Sequence, residues 1–175
     1  MIMADVLKIF LIIVGVLTVY VTYWLVAHAL FPAVVERARH QYARPIKTTL
    51  IGLAAALLPV VIGGAISKMP NPILKLIGVT LMVVPVLLGL VGSAGLALRI
   101  GAGLPTPTDE QQPWRRVLRG GILLALSFLL PFVGWIFFSL WTLVSGFGAF
   151  LLSAREPKSA VAPPPALLSP TQGAI

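Results

Sequence analysis

Polar residues are so sparse along this chain that long apolar runs, rather than alternating patterns, define its elements. The first run, VLKIFLIIVGVLTVYVTYWLVAH, extends from Val6 to His28. As a helix it would be roughly 35 Å long, enough to cross a hydrocarbon core of roughly 30 Å with slight tilt. Two further runs, about Ile46–Ile66 and Pro72–Leu98, are separated by SKMPNP, whose prolines and asparagine stop one helix and restart the next. Pro59 and Pro85 lie inside these runs and predict kinks, which lipid tolerates where neighbouring groups satisfy the freed carbonyls.

The last run, Gly120 to Leu152, carries LLPFVGW at its centre. One continuous helix there would be roughly 50 Å long and would need a tilt well above the usual roughly 20°. A hairpin avoids this, with arms of about Pro113–Leu130 and Val133–Leu152. Pro131 has no N–H to continue the ladder, and Gly134 tolerates a tight backbone. The expected fold is all-α: a polytopic integral membrane helix bundle of about five membrane-inserted helices, the last two forming a hairpin.

Between the runs, AVVERARHQYARP places Val34, Val35, Ala38 and Tyr42 on one helical face and most of its charges on the other. This predicts a short basic amphipathic helix on an anionic surface, with a solvated connector as the alternative. The chain then divides into an N-terminal transmembrane helix (1–31), a basic amphipathic connector (32–45) and a transmembrane helix pair (46–98). A polar cytoplasmic loop (99–112), the helical hairpin (113–152) and a tail (153–175) follow. The tail is rich in proline, alanine and serine without periodicity, which predicts disorder.

Composition changes the picture by naming the solvent. The chain is 58% hydrophobic and 10% charged, with a mean hydropathy of +1.00. Soluble domains carry roughly 25% charged residues. The absence of cysteine excludes disulfides, thiolate metal sites and cysteine nucleophiles. The net charge of +8 comes from residues flanking apolar runs, where they orient helices and meet anionic lipid headgroups. Arg37, Arg39, Arg44, Arg115 and Arg116 are the expected headgroup ligands. No basic stripe carries base-stacking aromatics, so nucleic acid is not an expected partner.

Charge also sets an expected orientation. With the first connection inside, a hairpin puts ten basic residues inside and three (Lys8, Lys68, Lys75) outside, whereas a single final span gives eight against five. The positive-inside rule selects the hairpin, with the N-terminus outside and the C-terminus cytoplasmic in a bacterial inner membrane. Ala27-His28-Ala29 resembles a cleavage site, but the run before it exceeds a signal core and the residues after it are basic. An uncleaved helix is therefore expected.

Candidate chemistry is thin. All five acidic residues, Asp5, Glu36, Asp109, Glu110 and Glu156, lie in termini, loops or the tail. Proton- and cation-coupled transport normally needs a carboxylate near the midplane, so that class is disfavoured. GAGLPTP follows no strand and lacks the lysine of a phosphate loop. No Ser/His/Asp set, metal cluster or carboxylate pair is evident, so no enzymatic activity is expected. Tyr20, Tyr23 and Trp24 share a helical face and read, with Trp114, as interfacial anchors; a platform for a pigment, quinone or partner helix is the second reading. Gly89, Gly92, Ser93 and Gly95, then Ser145, Gly146, Gly148 and Ala149, permit close helix approach, either within the bundle or against another subunit.

Two resemblances bear on function. LVAHALF resembles the histidine neighbourhood of light-harvesting antenna helices, which would make His28 a pigment ligand; its headgroup depth and the opposite helix orientation favour an interfacial histidine instead. Residues 45–155 resemble a bacterial membrane module of unknown function that often follows bactofilin-like, polymer-forming domains. The resemblance rests on TTLIGLAAALLP, LIGVTLMVVPVLLGLVG, the basic loop and RGGILLALSFLLPFVGWIFFSLWTLVSGFGAFLLSAR. Here Val6–His28 and a basic segment stand in place of the β-helical domain. The functional expectation is a non-catalytic scaffold or accessory subunit of a larger assembly, such as a respiratory or photosynthetic complex, docking through its small-residue faces. The alternative is a small permease or channel for an uncharged solute or lipid, lined by hydroxyls such as Thr18, Thr22 and Thr80. Membrane lipids and other transmembrane subunits are the expected partners. No cofactor is required, although a bound lipid or pigment is compatible with the sequence.

Overall fold

The computed structural model describes residues 3–104, 112–130 and 133–155. These form six α-helices: α1 (Met3–Leu30), α2 (Pro32–Gln41), α3 (Pro45–Ser67), α4 (Pro72–Ala102), α5 (Trp114–Phe128) and α6 (Ser139–Arg155). A π-helical stretch, Val133–Phe138, leads into α6. No strand occurs among the described residues. Pro32, Pro45 and Pro72 occupy first helical turns, where a missing N–H costs nothing. Asn71 caps α4, its side-chain oxygen accepting from the Ile73 N–H at 2.9 Å. α3 and α4 run on through Pro59 and Pro85.

Among the described residues, four segments are long and apolar enough to cross a membrane: α1, α3, α4 and Ile136–Arg155. Five membrane-inserted helices were expected. The remaining helix, α5, has 15 residues and so reaches roughly 22 Å, short of a hydrocarbon core of roughly 30 Å. Its first turns carry Arg115, Arg116 and Arg119, which shortens its apolar part further.

Helix directions follow from which glycines meet which backbones. A β-carbon at Gly101 would overlap the carbonyl oxygen of Arg116, and one at Gly120 that of Ala97, so α5 runs antiparallel to α4. Gly89 lies against Leu143 and Gly92 against Gly146, so α6 runs parallel to α4. The chain therefore reverses between α5 and α6. Both helices pack on α4 and make little contact with one another. α3 is antiparallel to α6, with Thr48 beside Gly148 and Gly52 beside Val144.

The depth of the reversal can be counted. From the Gly120–Ala97 level, Phe128 lies roughly 12 Å farther along, level with Gly89. Gly89 is itself roughly 25 Å from Pro72 at the start of α4, so the chain turns back about midway along that helix. Leu129 and Leu130 close the end of α5 with N–H bonds to the Leu126 and Ser127 carbonyls. The Gly134 N–H then donates to the Leu130 carbonyl at 2.9 Å. A side chain at Gly134 would overlap the Ser127 carbonyl oxygen, so its role is close approach of the returning backbone. Pro131, Asp109, Glu110, Glu156 and the tail beyond Arg155 lie outside the described residues. α6 itself continues past Leu152 to Arg155.

These directions collect the basic residues. Arg37, Arg39, Arg44, Lys47, Arg99, Arg115, Arg116, Arg119 and Arg155 all lie at the end where α1, α4 and α6 finish and α3 and α5 begin. Lys8, Lys68 and Lys75 lie at the other end.

Candidate functional site

The basic end is the best-built part of the molecule. α2 crosses it with Val35, Ala38 and Tyr42 buried against α4 and α6. Gly95 makes this crossing close: a β-carbon there would sit 2.8 Å from that of Ala38. The apolar face of α2 was expected against a lipid surface. It docks on the protein instead, because the small residues of α4 leave a seat that burial of apolar area fills. Arg37 reinforces the seat, its guanidinium donating to the Ser153 carbonyl at 2.8 Å and, through Nε, to the Ala33 carbonyl at 3.0 Å. Arg39 pairs with Glu36 at 2.6 Å.

The interior beneath α2 is closed by hydroxyl and indole hydrogen bonds. Trp24 is fully buried, and its indole N–H donates to Ser93 Oγ at 2.9 Å while the Ser93 hydroxyl donates to the Leu90 carbonyl at 2.8 Å. Tyr20 and Phe128 pack against it, with ring centroids 5.9 and 6.3 Å from the indole respectively. The expected interfacial anchor at Trp24 is therefore a core residue, placed there because α5 presents Gly121 to the indole face. Tyr20 is half-buried in the same cluster, and the Tyr23 hydroxyl donates to the Leu87 carbonyl at 3.2 Å. Neither ring is a free belt residue. Trp114 differs: it is exposed at the basic end, with the Arg115 guanidinium 5.6 Å from its ring centre.

A second polar tie joins α2, α3 and α6. The buried Tyr42 hydroxyl lies 3.4 Å from Ser145 Oγ, and burial pushes its pKa well above the usual phenol value. Thr48 Oγ1 donates to the Gln41 carbonyl at 2.9 Å and lies 3.1 Å from that of Arg44. Ser145 and Ser153 donate back to the Thr142 and Phe150 carbonyls of α6, and Thr142 donates to the Phe138 carbonyl at the end of the π-helical stretch. Each of these buried hydroxyls thus has a hydrogen-bond partner within the protein.

The small residues expected as docking faces are consumed in these crossings. Gly89, Gly92, Gly95, Ser145, Gly146 and Gly148 are all buried. Side chains at Gly92, Gly146 and Gly148 would overlap the carbonyl oxygens of Gly146, Gly89 and Thr48. They form intramolecular seams, since backbone-to-backbone contact leaves no room for a second subunit. His28, in the last turn of α1, is half-buried, and its Nδ1 makes no hydrogen bond among the described residues. His40 is exposed, 3.7 Å from Glu36. Among the described residues no cluster of three or more His, Cys, Asp or Glu could hold a metal.

Pattern reading missed Thr48 and Phe128, and took Ser93 only as a small packing residue, although all three organise this end. Ser93, Thr48 and Phe128 acquire their roles from Trp24, Gln41 and Tyr20, which lie 69, 7 and 108 positions away in sequence. Lys47, which stands beside Arg44, was readable only as one charge in a tally. No protein-family model, curated protein or solved structure matches the chain.

Proposed function

We propose that the chain is a non-catalytic membrane scaffold or accessory subunit that docks on other transmembrane helices in a larger assembly. In this reading it sits in a bacterial inner membrane with its basic end cytoplasmic, as the positive-inside rule requires. The observation that carries the reading is the contrast between a closed interior and the exposed N-terminal half of α1. From Met3 to Phe10 every described side chain is exposed, and Gly15 has no atom of another element within 4 Å of where a β-carbon would be. The docking surface is accordingly α1 rather than the glycine seams.

The test is gentle extraction followed by native gel electrophoresis. Companion subunits should migrate with the wild-type chain, and Gly15→Leu should weaken that association without altering the fold. A monodisperse monomer without companions would overturn the proposal, as would saturable solute flux into liposomes carrying the purified protein.

A further inference from the structure

We infer that the basic end holds a site for an anionic phospholipid, formed where α2 ends, α3 begins and α6 finishes. A polar cavity of about 240 Å³ opens there, lined by His40, Arg44, Lys47 and Thr48 with Leu152 as one wall. An apolar groove of about 580 Å³ adjoins it, sharing Arg44 and Lys47 and running past Ile46, Leu50 and Ile51 along α3. The two together have the shape of an amphiphile.

Charge identifies the headgroup. Among the described residues, neither Arg44 nor Lys47 has a carboxylate within 4.0 Å, and the nearby Glu36 is engaged by Arg39. Two uncompensated cations, one of them a guanidinium, favour a phosphate oxygen pair over any neutral group. The backbone N–H groups of Ile46 and Lys47, in the first turn of α3, add positive potential at the same mouth. A zwitterionic lipid brings its own ammonium into this field and gains less.

The groove decides between lipid and free phosphate. Inorganic phosphate would satisfy Arg44 and Lys47 but leave Leu50 and Ile51 uncovered, whereas an acyl chain lies along both. The elements that wall the cavity are tied to one another. Thr48 ties the end of α2 to α3 through the Gln41 carbonyl, and Gly148 lets α6 close against Thr48 from behind. The site stands whether or not the chain docks on other subunits.

Native mass spectrometry on the detergent-purified full chain tests this, with phosphatidylglycerol, phosphatidylcholine and inorganic phosphate as probes. The wild type should retain one phosphatidylglycerol with about thirtyfold preference over phosphatidylcholine, as expected for two cations near one headgroup. Millimolar inorganic phosphate should not displace it. The exposed pair R44Q/K47Q should reduce the preference to near parity, and I51W, which fills the groove, should lower retention of both lipids. K68Q/K75Q, at the opposite end, should match the wild type. The proposal is overturned if R44Q/K47Q keeps the preference, if K68Q/K75Q loses it equally, or if phosphate competes as well as lipid. Should a variant fail to fold, the wild-type selectivity and phosphate competition decide the matter alone.

Discussion

The two halves of α4 are both strongly apolar and have opposite surroundings. Gly92 to Leu98 are buried without a break, whereas Pro72 to Ile77 are exposed. In the first stretch Gly92, Ser93, Ala94 and Gly95 let α6, α1 and α2 approach, and Ala97 with Gly101 admits α5. Near the second α3 packs closely around Gly63 and Gly78, where a β-carbon at Gly63 would lie 2.7 Å from the Gly78 oxygen. Without a hydrophobic force between helices in lipid, association depends on how near backbones can come. Side-chain size, not hydropathy, therefore separates the compact half of this molecule from the spread one.

The largest expected effect comes from removing that closeness. Gly92→Leu would drive a side chain into the Gly146 carbonyl and should cost more than about 3 kcal/mol, the upper range for overpacking when backbones must part. Gly15→Leu, with open space around it, should shift stability by less than about 0.5 kcal/mol. Thermal or denaturant melts in detergent would compare the pair, and equal effects would refute the size argument.

A middle effect is expected at Trp24. Trp24→Ala should destabilise by about 3 kcal/mol through the cavity it leaves between α1, α4 and α5. Trp24→Phe keeps an aromatic ring and loses the hydrogen bond to Ser93, for about 1 kcal/mol. An anchor at the membrane surface would instead make the two variants nearly alike in the same melts. Smallest of the three, Thr48→Val should cost about 1 kcal/mol by releasing the Gln41 carbonyl. Faster hydrogen exchange confined to Tyr42–Arg44 would be its signature, and uniform exchange across the bundle would count against a local tie.

Much of the architecture was legible because it is length arithmetic. The runs around Val6–His28, Ile46–Ile66 and Pro72–Leu98 became α1, α3 and α4 with ends displaced by a few residues. The direction change after α5 was legible for the same reason. Less legible was how deep the turn lies, because that depends on where α5 grips α4 through Gly101 and Gly120. The anchor reading of Trp24 failed on a different ground. Spacing of i, i+3 and i+4 defines a face but not what the face meets. The same gap hid the seat of α2, whose Val35 and Ala38 look identical whether a bilayer or Gly95 lies opposite.

By itself the sequence determined the solvent, the apolar runs and the clustering of positive charge, because each depends on local composition and on the fixed rise of a helix. The tertiary structure alone decided which glycine meets which carbonyl, which aromatic is core, and which cations remain unpaired beside a cavity. Those outcomes depend on atoms far apart in the chain, and only packing brings them together.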